Sequence, residues 1–585
     1  MPTPVADEDI QATFCATLVD EWVRAGLAHF VVSPGSRSTP LAVAAARHPG
    51  VQLSVVLDER SASFVAVGIA RATQRAAVLL CTSGTAAVEY HAAVVEADLD
   101  HVALIVCTAD RPPELHGVGA PQTVVQQGLY GNSLRWSCDP GVASTANWSS
   151  WRSMASRCVL AAEKSVRGPG PVHLNLAFRE PLLGVAAQLP DARTHAGPWH
   201  AGMGSARRLA ADDVDDLLAY LSGRRGVLVV GDLGGEAGAV HALAQALQWP
   251  VLADVRSGAR VPGPHTISLV DLVLREPETA TALQPEVVVR LGAPWASKVL
   301  AQWLAGAPDD VLVDPFDAWL DPSRACRRHV TADPTLVCED LVKRGGLRPA
   351  PACWIELWRR ADDCAAKGVE EALGSNTEQP DLSEPAVARS LLSALPAGAH
   401  LLVASSMPVR DLEWFSEART GATVHANRGA NGIDGVVSTI VGLGVGAPDA
   451  AVYGLLGDLS FLHDASGLVT AASLGVPVTL VVVDNGGGGI FEFLPQARSL
   501  DRALFEKLFG TGQPVNIAAV SRAFGFEVVE VSTLDEFTDS VRSASAQARV
   551  ILVKTDRVAN VAAHDEVYAA VANVLARGLR AADSP

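Results

Sequence analysis

Two side chains that can offer oxygen ligands, Asp458 and Asn485, follow consecutive predicted strands. The apolar run Val452 to Leu456 predicts a buried strand just before Asp458, and the run Val478 to Val483 predicts the next strand, just before Asn485. In a parallel β-α-β unit both loops open on one edge of the sheet, so a carboxylate, an amide oxygen and backbone carbonyls can converge on one cation. Such ligands suit Mg²⁺ with phosphate and water in its remaining positions; the alternative is a pair of ordinary loop caps.

Composition narrows the class of protein. The chain has 585 residues, which predicts roughly three to four domains, and its net charge of −18 argues against nucleic acid and anionic membranes as partners. Its nine cysteines form no Cys-x-x-Cys pair, so we expect buried free thiols rather than disulfides or a zinc site. With no signal pattern and no apolar run of spanning length, we expect a soluble, cytoplasmic protein without membrane insertion.

Alternating strand and helix patterns predict an α/β fold with three α/β domains and mainly parallel sheets. We place the domains at residues 1–190, 205–345 and 381–585, joined by a linker near 184–204 and by a second linker that carries its own helix, 354–373. The pattern around Asp458 and Asn485 predicts a crossover helix from Leu462 to Leu474. In such open sheets, ligands bind at the carboxyl ends of the strands.

In the first domain, three loops after predicted strands carry polar side chains. The turn Ser33 to Ser38 opens a helix and places Arg37 beside free backbone amides, which makes a plausible anion site. Glu59 lies between a strand and an alanine-rich helix, where a carboxylate is either a partner of the helix N-terminus or a working group. The glycine-rich stretch from Gly117 to Gln122 is suited to a close approach to a ligand.

Two further loops precede the Asp458 strand in the third domain, namely 404–411 with Ser406 and Arg410, and 427–435 with Arg428. In the middle domain, Gly231 to Gly235 is not a proper dinucleotide fingerprint. Lys298 follows a predicted strand and is a candidate ligand contact, with a solvated helix lysine as the alternative.

These motifs resemble those of the thiamin diphosphate enzymes of the pyruvate oxidase type, whose Gly-Asp-Gly is followed some two dozen residues later by Asn-Asn. Here Leu459 replaces the third glycine and Asp484 the first asparagine, while Asn485 keeps the last position. The resemblance implies a thiamin diphosphate-binding fold in which the third domain binds diphosphate and metal. It also implies that the first domain of a neighbouring subunit covers the aminopyrimidine, where Glu59 shares a proton with a ring nitrogen.

The finer motifs, among them Ser33 to Ser38, Asn427 to Gly435 and Asn485 to Phe491, resemble a branch of this family that serves menaquinone biosynthesis. This implies a transferase that decarboxylates 2-oxoglutarate and adds the remaining fragment in a 1,4 sense to isochorismate. Both substrates are dicarboxylates, which suits the planar forks of Arg37, Arg410 and Arg428. The homodimer is the smallest active unit implied, and a homotetramer is the common form.

The resemblance also assigns residues to roles. The substrate-facing set that it implies comprises Ser36, Arg37, Gln122, Ser406, Arg410, Arg428, Ile490 and Phe491, to which we add the candidate Lys298 from its place after a strand. The cofactor set comprises Glu59, Thr85, Ile433, Asp458, Leu459, Ser460, Asn485 and Gly487, of which Asp458, Asn485 and the Gly487 carbonyl hold Mg²⁺, with Mn²⁺ as the alternative ion. Pro121 stands where that branch usually has asparagine, which removes a polar contact next to Gln122.

Three alternatives remain open. The nearest is a thiamin diphosphate carboligase or decarboxylase that acts on another 2-oxo acid, as acetolactate synthase does, although three arginines speak against small uncharged substrates. A non-catalytic protein that kept the fold would most readily have lost Glu59 or the metal pair, and this sequence keeps both. A dinucleotide oxidoreductase is disfavoured by the missing fingerprint.

Overall fold

In the computed structural model the chain forms three α/β units, each built on a six-stranded sheet in which every pair of neighbouring strands is parallel. The structure describes residues 6–193, 196–202, 204, 206–233, 237–293, 295–374 and 382–580. The sheets confirm the predicted α/β class. The domain limits predicted at 1, 205, 381 and 585 lie outside the described residues.

The first unit has the strand order β2-β1-β3-β4-β6-β5. Its strands are β1 (His29–Val32), β2 (Gln52–Val55), β3 (Ala77–Cys81), β4 (Leu104–Asp110), β5 (Trp136–Cys138) and β6 (Pro171–Ala177). Its helices are α1 (Asp7–Arg24), α2 (Thr39–Arg47), α3 (Glu59–Thr73), α4 (Thr85–Glu89), α5 (His91–Leu99) and α6 (Trp151–Glu163), with short 3₁₀ turns at Pro113–Leu115, Gly131–Ser133 and Trp148–Ser150. Strands β3, β4 and β6 are buried along their whole length, as expected of a sheet covered on both faces.

The second unit has the strand order β12-β11-β10-β7-β8-β9. Its strands are β7 (Gly226–Val230), β8 (Val251–Ala253), β9 (Thr266–Ile267), β10 (Val287–Leu291), β11 (Asp310–Val313) and β12 (Arg328–Val330). Its helices are α7 (Ala211–Leu221), α8 (Gly238–Leu247), α9 (Val270–Leu274), α10 (Pro277–Ala282), α11 (Lys298–Leu304) and α12 (Pro334–Arg344), followed by the long α13 (Ala352–Leu373).

The third unit has the strand order β14-β13-β15-β16-β18-β17. Its strands are β13 (Ala399–Val403), β14 (Ala422–His425), β15 (Val452–Gly457), β16 (Val478–Asp484), β17 (Glu527–Val531) and β18 (Arg549–Lys554). Its helices are α14 (Glu384–Ala394), α15 (Met407–Phe415), α16 (Val436–Gly446), α17 (Asp458–His463), α18 (Ser466–Leu474), α19 (Pro495–Ser499), α20 (Arg502–Phe505), α21 (Ile517–Ala523), α22 (Leu534–Arg542) and α23 (Arg557–Arg580), with a 3₁₀ turn at Gly489–Phe493 and a π turn at Glu506–Gly510.

The first and third units pack through α3 and α16, which cross at glycines. A Cβ on Gly68 would lie 2.1 Å from the carbonyl oxygen of Thr439, so only glycine permits this approach. At the start of α3, Arg60 donates to the carbonyl of His463 at 2.9 Å, and the hydroxyls of Ser61 and Ser466 lie 2.7 Å apart. The helix that begins at Glu59 is therefore fixed to the third unit of the same chain.

The crossover helix predicted from Leu462 to Leu474 is instead two helices, α17 and α18, separated at Asp464. The buried carboxylate of Asp464 accepts hydrogen bonds from the backbone N–H and the hydroxyl of Ser438, at 2.6 and 3.0 Å. This polar contact with α16 accompanies the interruption.

The nine cysteines are free, and most are buried, as predicted. Within the ranges that the structure describes, no helix is both long and apolar enough to cross a bilayer.

Candidate active site

Four of the predicted site residues, Ser36, Glu59, Thr85 and Gln122, line one cavity of about 610 Å³. Each lies in a loop or at a helix start that follows a strand of the first sheet. The other lining residues are Pro34, Gly35, Asp58, Arg60, Thr82, Ala86 and Glu89. The whole lining therefore belongs to the first unit.

Glu59 is the first residue of α3, and Asp58 caps that helix by accepting the backbone N–H of Ser61 at 3.1 Å. Burial raises the pKa of Glu59, and the neighbouring carboxylates of Asp58 and Glu89 raise it further. Glu59 thus favours its protonated form more than a solvated glutamate does, which suits a group that shares a proton with a ligand.

Gln122 is held by a reciprocal contact with Ser83. The amide nitrogen of Gln122 donates to the carbonyl of Ser83 at 3.1 Å, and the Ser83 hydroxyl donates to the carbonyl of Gln122 at 3.0 Å. Gln122 adopts a left-handed backbone conformation with φ of 58°, and Gly84 packs so closely that a Cβ there would lie 2.8 Å from the Gln122 side chain. The loop after Pro121 is thus anchored from the Ser83 side.

Arg37 lies outside the lining of this cavity. Its guanidinium is buried and donates to the carbonyl of Phe178 at 3.0 Å and to the carboxylate of Glu180 at 2.9 Å. The arginine that contacts the Ser83 loop directly is Arg111, whose guanidinium donates to the Ser83 hydroxyl. Burial and the nearby charge of Arg37 lower the pKa of Arg111. Arg111 was not among the predicted site residues, although it lies in a polar segment directly after β4.

In the third unit, Asp458 begins α17 directly after β15 and is buried. One carboxylate oxygen accepts the backbone N–H of Leu459 at 2.8 Å, and the nearby N–H of Gly487 also favours the ionised carboxylate. Burial raises the pKa of Asp458 to about 6. These contacts bring the loops after β15 and β16 together, as the parallel arrangement predicts.

Asn485 lies immediately after β16 and donates its amide nitrogen to the carboxylate of Glu384 at 2.8 Å. Its amide oxygen is buried and has no hydrogen-bond partner among the described residues. Burial and the charge of Asp411 raise the pKa of Glu384 to about 7. A hard cation would supply the missing partner of this buried amide oxygen.

Gly487 permits a close backbone approach that no other residue could make. Its φ is 132°, and a Cβ there would lie 2.0 Å from the carbonyl oxygen of Gly510. No group of three or more His, Cys, Asp or Glu side chains that could hold a metal occurs within the described part of the chain. A cation at this site would therefore use oxygens of Asp458, Asn485 and the backbone.

Ile490 and Phe491 lie on the 3₁₀ turn that follows this loop. Ile490 packs against an apolar cluster that joins the second unit to α15 and α23 of the third, and the Phe491 ring lies 5.3 Å from that of Phe509. Both side chains remain partly exposed.

The loop 427–435 is held at both ends. Glu96 of the first unit accepts the backbone N–H groups of Gly429 and Ala430, at 2.9 and 2.7 Å. The hydroxyl of Ser460 donates to the carbonyl of Ile433 at 3.1 Å, which ties Ile433 to the start of α17. Glu96 was not among the predicted residues, because its partners lie 333 and 334 positions away.

The other predicted basic residues lie in two places. Arg428 and the exposed Lys298 line a separate cavity of about 670 Å³ whose walls come from all three units. Arg410, on α15, donates to the carbonyl of Ser406 at 2.6 Å. Burial lowers the pKa of both Arg410 and Arg428. Within one chain, these side chains and the Glu59 cavity do not form a single enclosed site.

Family models match the chain in three segments. The N-terminal thiamine pyrophosphate-binding domain of thiamine pyrophosphate enzymes matches residues 13–129, the middle domain 188–403, and the C-terminal thiamine pyrophosphate-binding domain 412–555. Benzoylformate decarboxylase from Polynucleobacter necessarius, a solved structure, has the same fold with a TM-score of 0.71. It is 17% identical and covers 93% of this chain and 98% of its own.

Curated proteins named 2-succinyl-5-enolpyruvyl-6-hydroxy-3-cyclohexene-1-carboxylate (SEPHCHC) synthase are similar over nearly the whole chain. The protein from Myxococcus xanthus is 40% identical over 98% of this chain and 99% of its own, and that from Geobacillus kaustophilus is 40% identical over 98% and 100%. The protein from Bacillus velezensis is 38% identical over 96% and 98%. The chain belongs to the SEPHCHC synthase family.

Membership of the SEPHCHC synthase family confirms the predicted resemblance and the thiamin diphosphate-binding fold. It makes the protein an enzyme dependent on thiamin diphosphate, and it assigns the C-terminal binding domain to the unit that contains Asp458 and Asn485. Leu459 and Asp484 are therefore departures from the usual motif within a chain that keeps the fold.

Proposed function

We propose that this member of the SEPHCHC synthase family decarboxylates 2-oxoglutarate and adds the succinyl fragment in a 1,4 sense to isochorismate. The products are SEPHCHC and CO₂. The observation that carries the proposal is the 40% identity to proteins of that name along almost the entire chain. Thiamin diphosphate, when bound, supplies a nucleophilic carbon that adds to the ketone of a 2-oxo acid and stabilises negative charge after CO₂ leaves.

Glu59 is the catalytic residue of the first unit in this proposal. Its raised pKa allows it to hold a proton at the carboxyl and share it with a ring nitrogen of the aminopyrimidine. Thr85, which lines the same cavity, would lie beside the cofactor ring. Besides Glu59, the carboxylates that line the cavity are those of Asp58 and Glu89.

The third unit holds the diphosphate end. Asp458, Asn485 and the Gly487 carbonyl would hold Mg²⁺, or Mn²⁺ in its place, because their donor set consists of oxygens and one of them is a buried amide oxygen without a protein partner in the described structure. Leu459 and Ser460, at the start of α17, would lie near the diphosphate. Ile433, tied to Ser460, would be the wedge that bends the cofactor.

Substrate carboxylates require positive charge. Arg410 and Arg428 supply it from the third unit, with Ser406 beside Arg410 and Lys298 beside Arg428. Ser36 and Gln122 face the substrate from the first unit, and Arg37 and Arg111 add positive charge behind them. Ile490 and Phe491 form the apolar wall of the reaction chamber.

The complete site requires two chains. The Glu59 cavity is lined by the first unit alone, and the segments that carry its lining residues expose Leu57, Val88, Val118 and Val125. A third unit from a second copy would cover these apolar side chains and bring Asp458 and Asn485 to Glu59. We therefore propose a homodimer with two sites as the minimum, assembled into a homotetramer, with 1–190 as pyrimidine-binding, 205–345 as central and 381–585 as diphosphate-binding domain.

The experiment that tests the proposal measures isochorismate consumption by enzyme freed of cofactor and metal. We expect consumption only when 2-oxoglutarate, thiamin diphosphate and Mg²⁺ are all supplied. Consumption that continues without thiamin diphosphate would refute the proposal. Light scattering of the active enzyme should give the mass of two or more chains.

A further inference from the structure

Glu384 is a buried carboxylate that the proposed reaction does not use. It lies in the first turn of α14 and is 5% exposed. One carboxylate oxygen accepts two hydrogen bonds, from the amide nitrogen of Asn485 at 2.8 Å and from the hydroxyl of Thr555 at 3.1 Å. Both partners are distant in sequence, at separations of 101 and 171 positions.

These two partners stand at equivalent places on neighbouring strands. Strand β16 ends at Asp484 and strand β18 at Lys554, and those two residues are paired in the sheet. Asn485 and Thr555 are the next residues of each strand, and the N–H of Thr555 donates to the carbonyl of Asp484 at 3.0 Å. Glu384 thus lies across the carboxyl edge of the sheet, where the loop of Asn485 begins.

The contact with Glu384 determines which way the amide of Asn485 faces. A primary amide has one donating end and one accepting end, and a carboxylate oxygen can only accept. Because Glu384 binds the nitrogen of Asn485, the amide oxygen must face the opposite side. That oxygen is buried and, in the part of the chain that the structure describes, has no hydrogen-bond partner. Turning the amide over would place its oxygen against the Glu384 carboxylate, which is repulsive.

We propose that Glu384 is the positioning residue that orients Asn485, so that its amide oxygen is presented to the divalent cation that binds thiamin diphosphate. The inference rests on the proposed function, since it assigns Glu384 to the metal site of that reaction. Groups that hydrogen-bond to metal ligands fix their orientation, and removing such a group usually costs 10- to 100-fold in metal affinity. Burial and the charge of Asp411 raise the pKa of Glu384 to about 7, so above that pH Glu384 is a carboxylate that can only accept hydrogen bonds.

The test is a calorimetric titration of Mg²⁺ into enzyme and excess thiamin diphosphate, without substrate. We expect Glu384→Ala to weaken the apparent Mg²⁺ affinity by about 10- to 100-fold. Glu384→Gln should lose less, because one of its two amide orientations still accepts from Asn485. Thr555→Val removes the other hydrogen bond of Glu384 and leaves Asn485 in place, so it should keep wild-type affinity.

Each outcome of this titration either supports or overturns the role proposed for Glu384. Wild-type affinity in both Glu384 variants would overturn the inference, as would an equal loss in Thr555→Val, which would indicate a merely structural role. If Glu384→Ala does not fold, Glu384→Leu, which fills the space but offers no acceptor to Asn485, decides instead, and affinity equal to wild type in that variant would overturn the inference. If wild-type enzyme itself shows no Mg²⁺-dependent binding of thiamin diphosphate, the proposed function fails instead, so the two failures are distinguishable.

Discussion

Glu96 of the first unit accepts a hydrogen bond at 2.9 Å from the backbone N–H of Gly429, in the loop of the third unit that carries Arg428. The second carboxylate oxygen accepts the N–H of Ala430 at 2.7 Å. Arg71 lies 3.5 Å from the same carboxylate and pairs with Asp100 at 2.5 Å, so the charge of Glu96 is partly balanced. One unit of the chain thereby fixes the backbone that places a proposed substrate-binding arginine.

Replacing Glu96 with glutamine should loosen this loop. A side-chain amide can accept one of the two N–H groups, while its NH₂ end faces the other, and leaving a buried donor unsatisfied costs about 1–3 kcal/mol. Since the loop must then be ordered when the substrate binds, we expect the KM for isochorismate to rise about 5- to 150-fold. Steady-state kinetics check this. Glu163→Gln is the control, because Glu163 also accepts a backbone N–H, that of Ala76, but only within the first unit. An unchanged KM in Glu96→Gln would contradict the assigned role.

Glu59→Gln should retain thiamin diphosphate binding and lose most turnover, because the amide cannot share a proton with the ring nitrogen. Removing a positioned acid or base typically costs 10²- to 10⁴-fold, so we expect a fall in kcat on the order of 10²-fold or more. Cofactor titration and single-turnover rates separate binding from chemistry. Glu89→Gln, in the same cavity, is the matched control and should retain much more activity. A Glu59→Gln enzyme as fast as wild type would refute the activation step.

Asp458→Ala should abolish the Mg²⁺-dependent part of thiamin diphosphate binding, because the variant removes the only carboxylate of the proposed ligand set. We expect a loss of about 100-fold or more in apparent Mg²⁺ affinity, because losing a ligand should cost at least as much as losing a group that only hydrogen-bonds to one. The chain offers its own control in Asp232, which occupies the same Gly-Asp-Leu tripeptide in the second unit. Asp232→Ala should leave Mg²⁺ affinity unchanged; equal losses in the two variants would argue against the site.

His173 should make the fold sensitive to acid. It is buried in β6 with its ring nitrogen 2.7 Å from the Thr108 hydroxyl, and burial lowers its pKa from 6.5 to about 4. Between these values the unfolded chain binds more protons than the folded one, so the stability contribution is fully present above pH 6.5 and is lost as the pH falls toward 4. At pH 5 the loss is about 2 kcal/mol.

The check compares the thermal unfolding midpoints of wild type and His173→Gln at pH 7.5 and pH 5. Glutamine can hydrogen-bond to Thr108 but does not titrate, so the drop in midpoint on acidification should be smaller in the variant. An equal drop in both proteins would show that His173 does not carry this pH dependence.

Residues whose positions depend on local patterns could be predicted from the sequence. Asp458 and Asn485 directly follow apolar runs that form β15 and β16, and parallel strands bring their loops together, as the structure shows. Glu59 was correctly placed at a strand-to-helix junction, although α3 begins at Glu59 itself.

Residues whose roles depend on distant partners could not be predicted. Glu384 precedes Pro385 at a helix start near the predicted beginning of the third domain, while its partners Asn485 and Thr555 follow two strands of the sheet. Likewise, the sequence did not indicate that Arg37 pairs with Glu180, which follows β6 much further along the chain. Periodicity carries no information about such pairings.

The central claim concerns which 2-oxo acid the enzyme uses. It is tested most directly by measuring CO₂ release from 2-oxoglutarate and from pyruvate in parallel, with isochorismate, Mg²⁺ and thiamin diphosphate present. The arginines proposed for the site predict rapid release from 2-oxoglutarate and little from pyruvate, since pyruvate lacks the second carboxylate. A preference for pyruvate would contradict the account.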